Sequence, residues 1–217
     1  MNISTMARSP NPVATLSRLA KRPATSEVCE FCSLSLLPGH RHLLETAKAK
    51  LVCVCDACAL RFDHVIGRYR LIPRDARRLL GFQITDGQWN ALSLPIRLAF
   101  FFQSTTAGRI IGMYPSPAGA TESSWPITDW QSIAAGSPAL AAMEPDVEAL
   151  LANRLKPTPE YYVVPIDMCF ELVGLMRVHW HGFSGGARVW DEIQGFFSRL
   201  MDRSVTVPAD TTSTAHA

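Results

Sequence analysis

Five of the six cysteines in this chain lie within the segment 29–58, where they form two Cys-x2-Cys pairs and leave one extra thiol. The pairs are Cys29 with Cys32 and Cys55 with Cys58, and Cys53 precedes the second pair. Two such turns each offer two thiolates from one side, which suits the tetrahedral preference of Zn²⁺. The segment 33–54 between them is slightly longer than the usual interval of about 15–20 residues, but a hairpin can absorb the difference. We therefore predict a Zn²⁺ site formed by these four cysteines.

Iron is the alternative ion, because rubredoxin-like iron also binds four cysteines at a similar spacing. Rubredoxin knuckles continue with glycine after each pair, whereas Ser33 and Ala59 follow here, so zinc is preferred. Cys53 is interpreted as a small buried residue whose thiol points away from Cys55. The alternatives are that Cys53 replaces Cys55 as a ligand, or that it is a redox thiol.

Two His-x-His pairs accompany the cysteines. His40 and His42 lie between the cysteine pairs and are interpreted as strand residues, one facing in and one facing out, although either could replace a cysteine as ligand. His179 and His181 form the second pair. That pair could hold a metal only if a further ligand, such as Asp167, converges on it.

A Gly-x-Ser-x-Gly motif centred on Ser184 lies between a predicted strand and a predicted helix, as a nucleophile elbow would. A hydrolase of that type needs an acid and then a histidine further along the chain, and only His216 in the tail follows. We therefore interpret the motif as a helix N-terminus, capped by Ser184 and allowed a tight approach by Gly185 and Gly186. The exposed amides of Ser184–Ala187 could bind an anion, and the His179–Gly186 loop could meet a partner.

The composition of the 217 residues, 47% hydrophobic and 18% charged, is that of a globular protein. No apolar run approaches the roughly 18–20 residues that a membrane span needs. The N-terminus lacks a secretory signal, so we expect a cytoplasmic protein with reduced thiols. The net charge is only +2, and the basic segment 61–78 is interpreted as solvated faces and local salt bridges. Nucleic acid is therefore not an expected partner.

The chain divides into four predicted segments: a disordered leader at 1–26, a zinc-ribbon-like module at 27–62, an α+β domain at 63–202 and a disordered tail at 203–217. The α+β domain is expected to contain a mixed or antiparallel sheet of about four strands packed by helices. Its predicted elements are short helices over 74–80 and 85–92, a β-hairpin over 96–114, helices over 129–135 and 145–155, strands over 161–166 and 172–180 (the latter helical as an alternative), and a final amphipathic helix containing Val189–Leu200.

Several motifs together resemble an uncharacterised bacterial family of unknown function over about 28–200. They are Cys29-Glu-Phe-Cys32, His40-Arg-His42-Leu-Leu, Cys53-Val-Cys55-Asp-Ala-Cys58, Arg68-Tyr-Arg70, Leu98-Ala-Phe-Phe-Phe102, Tyr114-Pro-Ser-Pro-Ala-Gly-Ala-Thr-Glu122, Glu144-Pro-Asp-Val-Glu-Ala-Leu-Leu151, Val164-Pro-Ile-Asp167 and Trp180-His-Gly-Phe-Ser-Gly-Gly186. That family is found beside nickel–iron hydrogenase genes. The resemblance implies an accessory or assembly role, and it brings no catalytic residues.

These observations favour a non-enzymatic, zinc-binding accessory protein. We expect the Tyr114–Glu122 and His179–Gly186 loops to meet a protein partner, which the resemblance implies is a hydrogenase subunit or maturation factor. The alternative is a redox protein that uses rubredoxin-like iron or a Cys53 thiol switch. A hydrolase that uses Ser184 is a third and weaker hypothesis.

Overall fold

A computed structural model of the chain describes residues 27–63, 67–123, 127, 130–135, 137–182 and 184–209. The predicted leader, and the tail from residue 210 onward, lie outside the described residues. The strands within the described ranges are β1 (Arg41–Glu45), β2 (Lys50–Val54), β3 (Tyr69–Leu71), β4 (Arg77–Leu80), β5 (Leu98–Ser104), β6 (Arg109–Ser116), β7 (Gly119–Glu122), β8 (Glu148–Asn153), β9 (Glu160–Pro165) and β10 (Val205–Pro208). The helices are α1 (Asp56–Asp63), α2 (Asp86–Ala91), α3 (Trp130–Ala134), α4 (Pro138–Ala141), α5 (Ile166–His179) and α6 (Gly186–Arg203).

The cysteine-rich module is built on a small antiparallel sheet with the strand order β2-β1-β3. A short 3₁₀ turn at Thr46–Lys48 joins β1 to β2, and Ala49 leaves that turn in the left-handed conformation. Because β3 pairs with β1, the module's sheet extends past residue 62, where the predicted module ended.

A seven-stranded sheet forms the body, in the order β10-β4-β9-β8-β5-β6-β7. Every neighbouring pair is antiparallel except β10 with β4, which is parallel. The α+β class and the helical packing are as predicted. The sheet is larger than the four strands expected, partly because the predicted tail supplies β10.

Each face of the large sheet buries its own apolar layer, because successive side chains of a strand point to opposite faces. Alternate residues of β5, β8 and β9 separate cleanly into the two layers. One layer packs on α5 and α6 and contains Leu98, Phe100, Ala149, Leu151, Tyr162 and Val164. The other packs on α2, α3 and α4 and contains Ala99, Phe101, Leu150, Ala152, Tyr161 and Val163. The module joins the first layer through Leu44 and Leu51.

The helix predicted over 145–155 is wrong. Strand β8 occupies the centre of that segment, between β5 and β9, and all six of its residues are buried. Because β8 is buried on both faces, its central residues Ala149–Ala152 are all apolar, and the alternation that indicates a strand with one exposed face is absent from them. Asp146, which has a positive φ of 64°, interrupts any helix that would begin at Pro145.

Two further secondary-structure predictions differ from the structure. The segment predicted as a helix over 74–80 contains β4, which lies between β9 and β10. Residues 166–179 form helix α5, which was the alternative interpretation of the strand predicted over 172–180. In α5 the buried residues recur at helical spacing, as in Cys169, Leu172 and Val173.

The predictions that rest on strong local signals are confirmed. Helix α2 has the capping box of Thr85 and Gln88, and β5 and β6 form the predicted hairpin. Helix α6 buries Val189, Ile193, Phe196, Phe197 and Leu200 as its apolar stripe. Among the described residues, no helix is both long enough and apolar enough to cross a membrane.

Candidate metal centre

The first cysteine pair lies in a tight turn held by backbone hydrogen bonds. The Cys29 N–H donates to the Leu34 carbonyl at 2.8 Å, and the Ser33 N–H donates to the Cys29 carbonyl at 2.8 Å. Ser33 has a φ of 62°, so the chain reverses sharply just after Cys32. The turn therefore presents both thiols toward the hairpin of β1 and β2.

The second pair lies at the start of helix α1. Strand β2 ends at Val54, the Cys55 carbonyl accepts a 2.8 Å hydrogen bond from the Ala59 N–H, and the Cys58 N–H lies 3.5 Å from Cys55 Sγ. The two thiols of this pair are thus placed at the junction of β2 and α1. The module is thus compatible with the predicted zinc-ribbon-like arrangement, with one difference: a helix rather than a second hairpin knuckle carries Cys55 and Cys58.

The four sulfur atoms converge. The Sγ atoms of Cys29, Cys32, Cys55 and Cys58 all lie within 4.8 Å of one another, and those of Cys32 and Cys55 are 3.7 Å apart. A tetrahedral site with Zn–S bonds of about 2.3 Å has S–S edges of about 3.8 Å. A disulfide would need about 2.0 Å, and all four cysteines are free thiols. The geometry fits a tetrahedral metal ion.

The thiols of this cluster have unequal pKa values. Burial raises the pKa of Cys29, but hydrogen bonds from backbone groups of Cys55, Cys32 and Phe31 more than offset this and bring it to about 6. Burial and the neighbouring thiols raise the pKa of Cys58 to about 12, and the pKa of Cys32 is also raised. The negative charge of one thiolate therefore disfavours ionisation of the neighbouring thiols. Four thiolates can coexist in this cluster only with a cation bound between them.

A small apolar core supports the cluster. Cys29 is only 1% exposed and packs with Leu43, Val52, Val54 and Ala59. Beside them Phe31 stacks on Phe62 with ring centroids 4.1 Å apart. Cys32, by contrast, is exposed. The site is fixed on the inner side by packing and lies close to solvent on the other.

Cys53 belongs to a second cluster. In the antiparallel register Cys53 is directly opposite His42, and metal-ligating atoms of Cys53, His40 and His42 lie within 4.8 Å of one another. In a continuous strand, Cys53 and Cys55 would share a face. Because β2 ends at Val54, Cys55 turns into the four-cysteine cluster and Cys53 does not.

The prediction that His40 and His42 face opposite ways is wrong. Residues two positions apart along an extended chain share a face, and the two rings are 4.7 Å apart by their centroids. Both point from the hairpin toward the body. His42 Nδ1 lies 2.8 Å from Asp167 Oδ2 of the body. His40 Nδ1 lies 3.2 Å from the carbonyl oxygen of Leu37, within the module.

Burial raises the pKa of the Cys53 thiol, and the carboxylates of Glu27 and Glu30 add to that effect. Without a cation this thiol is therefore protonated at neutral pH, which makes it a weak nucleophile. Sequence reasoning missed the part played by Asp167, which it had considered only as a partner of His179 and His181. The two-residue spacing of His40 and His42 was the signal that could have identified this cluster.

The His179–Gly186 loop connects α5 to α6. His179 ends α5, His181 and Ser184 are exposed, and neither histidine joins a group of three or more metal-ligating side chains in the described part of the chain. The N-cap of α6 is Gly185, with φ 85°, and its cap lacks a side-chain hydrogen bond, so the predicted cap by Ser184 is wrong. Within the described residues, Ser184 has no histidine or carboxylate partner.

The basic segment forms ion pairs within the protein. Arg70 lies within 4.0 Å of Glu144 and Asp146, Arg77 lies 2.7 Å from Glu148, and Arg74 lies 3.9 Å from Asp56. These contacts agree with the interpretation of local salt bridges. The arginines tie the module and β4 to the loop before β8.

The fold and the site define an α+β protein with a four-cysteine cluster able to hold a metal. The chain belongs to a family of unknown function, DUF5947, which it matches over residues 28–204. Neither a curated protein nor a solved structure matches it. The match confirms the resemblance to an uncharacterised family, and the association with hydrogenase genes stays a prediction.

Proposed function

We propose that this chain is a zinc-binding accessory protein in which Cys29, Cys32, Cys55 and Cys58 hold a structural Zn²⁺. The observation that carries the proposal is the convergence of four sulfur atoms at spacings that fit a tetrahedron. Four protein thiolates fill the coordination of Zn²⁺ and leave no open position, which is typical of a structural site. The role of the ion is to fix the surface of the module.

Two features support a protein partner. Leu34 and Leu37, in the segment that follows the first cysteine pair, are 58% and 80% exposed. The Tyr114–Glu122 segment lies close to the end of α5. The two are in contact at Gly119 and Arg177, because a side-chain Cβ built at Gly119 would lie 3.9 Å from Arg177 Cδ. We propose that these surfaces bind a hydrogenase subunit or maturation factor, in a cytoplasm that keeps the thiols reduced.

Elemental analysis of the full chain, purified without added metal, tests the zinc proposal. We expect one tightly held Zn²⁺ that the Cys29→Ser and Cys58→Ser variants lose. Cys169→Ala is the matched control, because Cys169 is a cysteine in the body core, outside the cluster. Preparations that contain no metal under reducing conditions would contradict the proposal.

Affinity purification tests the partner. The tagged chain is expected to recover a hydrogenase subunit or maturation factor from cells that express the hydrogenase. The Leu34→Ser, Leu37→Ser double variant should lose that protein while keeping its zinc. Recovery of the same proteins by both chains, or of no such protein, would remove the docking proposal but leave the zinc proposal intact.

Iron is the second candidate, because a tetrahedral set of four sulfurs also suits rubredoxin-like iron. The exposure of Cys32 would give electrons a short route to the surface. A red protein that contains one iron would favour this redox function over the structural one. A colourless protein that contains zinc would exclude it.

A further inference from the structure

We propose that His40, His42 and Cys53 form a second metal site, distinct from the four-cysteine cluster, that binds a divalent transition-metal ion with an open coordination position. The three side chains lie on one face of the β1–β2 hairpin, the face turned toward the body. His42 on β1 lies opposite Cys53 on β2 in fixed register, and His40 directly precedes β1. Their metal-ligating atoms lie within 4.8 Å of one another.

Both imidazoles are oriented as metal ligands are. A ligating histidine donates its other ring N–H to a carboxylate or a carbonyl, which fixes the tautomer and the direction of the ring. His42 uses Nδ1 toward Asp167 Oδ2 at 2.8 Å, and His40 uses Nδ1 toward the Leu37 carbonyl at 3.2 Å. Each ring is therefore left with Nε2 as the nitrogen that can bind an ion.

His40 supplies an independent indication of a ligand. Its side chain is only 8% exposed, and its Nε2 is buried without a hydrogen-bond partner among the described residues. Buried ring nitrogens are almost always satisfied, since an unpaired one loses its hydrogen bonds to water without replacement. An ion held with His42 and Cys53 would satisfy this atom.

Little movement is needed to bind an ion. Each side chain has a ligating atom, which for a histidine is either ring nitrogen, within 4.8 Å of the other two, so bonds of about 2.0–2.3 Å to zinc require only small side-chain movements. Two imidazoles and one thiolate select ions such as Zn²⁺, Co²⁺ or Ni²⁺ over Mg²⁺ and Ca²⁺, which prefer oxygen. Three protein ligands leave a fourth position for water or substrate, as in catalytic zinc sites.

Two of the three proposed ligands, His40 and His42, border a cleft that opens to solvent. The cleft has a volume of about 490 Å³ and lies between the module and the body. The arginines Arg74 and Arg203 and the carboxylates of Glu27, Asp167 and Glu171 also line that cleft, so a ligand that enters it to bind the ion would meet groups of both charges. In the four-cysteine cluster, by contrast, four thiolates would fill every coordination position of the ion. The two sites thus differ in chemistry as well as in position.

Competition titration with a chromophoric chelator tests the site, with Zn²⁺ as the probe and the full chain under reducing conditions. We expect the wild-type chain to bind two equivalents. His42→Ala and Cys53→Ser should each bind one, while Asp167→Asn, which keeps a hydrogen-bond acceptor for His42, should bind the second equivalent 10–100-fold more weakly. His181→Ala is the matched control and should bind two.

Alkylation supplies a second measurement that does not depend on counting ions. Zn²⁺ added beyond the first equivalent should protect Cys53 from iodoacetamide, as read by peptide mass mapping. Circular dichroism shows whether each variant is folded. If His42→Ala does not fold, the result for Asp167→Asn decides whether the histidine contributes to the site. The proposal is wrong if Cys53→Ser and Asp167→Asn bind Zn²⁺ as the wild type does, or if Zn²⁺ leaves Cys53 equally reactive.

The titration also separates this proposal from the structural-zinc proposal. A wild-type chain that binds one equivalent, lost in Cys53→Ser, would support the second site and contradict the four-cysteine site. One equivalent that survives in Cys53→Ser would overturn the second site and leave the four-cysteine site in place.

Discussion

His42 Nδ1 lies 2.8 Å from Asp167 Oδ2, although 125 positions separate the two residues in the chain. His42 is on β1 of the module, and Asp167 is in the first turn of α5 in the body. Beside this contact Leu44 and Leu51 of the module pack into the body core. The pair is thus a polar contact beside an apolar one, and it couples the position of the module to that of α5.

A double-mutant cycle measures this coupling. We expect His42→Ala and Asp167→Ala each to lower the free energy of unfolding, with an interaction energy between them of about 0.5–1.5 kcal/mol. The side chains are 24% and 22% exposed. Because water partly screens the contact, we expect the interaction energy to be modest. Urea denaturation of the four proteins at fixed pH and zinc concentration gives the result. Additive effects would show that the contact does not couple module and body.

Zinc binding to the four-cysteine cluster is expected to release protons. At pH 8 the Cys29 thiol, with a pKa of about 6, is already ionised in the metal-free protein. Cys58, with a pKa of about 12, and Cys32, whose pKa is raised above 9.0, are still protonated. Binding must deprotonate them, so Zn²⁺ affinity falls as the pH is lowered.

Isothermal titration in buffers of different ionisation enthalpy measures this release. Cys53→Ser is the protein to use, because it isolates the four-cysteine cluster from the second site. We expect at least two protons per Zn²⁺ at pH 8, one each from Cys32 and Cys58. A release close to zero would mean that these two thiols are ionised before the metal arrives, which contradicts their raised pKa values.

The features that the sequence predicts correctly depend on neighbours in the chain. The four-cysteine cluster follows from ligand spacing, helix α2 from the capping box of Thr85 and Gln88, and α6 from its apolar stripe. Each of these signals is contained in a short stretch of sequence. The structure that each stretch adopts is determined mainly by residues within that stretch, so it can be predicted without knowing the tertiary contacts.

The predictions that fail depend on distant contacts. Strand β8 lies between β5 and β9 and is covered by helices on both faces of the sheet, so it loses the alternation that would have marked it as a strand. Likewise, the environment of His42 depends on Asp167, and nothing within a local window connects these residues. Strand β10 pairs with β4 across the whole domain, which explains why its residues were predicted as tail.

Arg154 is expected to be one of the charged residues on which stability depends most. It is 4% exposed, it donates to the Ile84 carbonyl at 2.9 Å and pairs with Asp86, and its guanidinium lies 5.1 Å from the centre of the Trp89 ring. It therefore holds α2 against the end of β8. Arg154→Lys should lower the free energy of unfolding by about 2–3 kcal/mol, because a lysine cannot reproduce the fork of hydrogen bonds.

The control for this prediction is Arg188→Lys, at an exposed position on α6. Its free energy of unfolding should stay within about 0.5 kcal/mol of the wild type. Guanidinium denaturation, followed by the fluorescence of the tryptophans, reports both variants. Equal effects of the two substitutions would show that burial of Arg154 does not determine its contribution.

Gly185, at the start of α6, should tolerate no side chain. Its φ is 85°, and a Cβ at this position would lie 2.9 Å from Trp180 Cε3 and 2.9 Å from Val189 Cγ1. Gly185→Ala therefore combines a left-handed backbone with overpacking against the apolar stripe of α6. We expect a loss of about 2–4 kcal/mol in the free energy of unfolding.

Gly182, in the same loop, separates these two causes. Its φ is 66°, yet a Cβ there would have no heavy atom of the described residues within 4 Å, its chain neighbours aside. Gly182→Ala should therefore cost only the backbone strain, about 1 kcal/mol. Thermal denaturation of both variants gives the difference, which measures the packing contribution of Gly185 alone. Equal losses would mean that Trp180 and Val189 move aside freely and that the loop is held by backbone conformation rather than by packing.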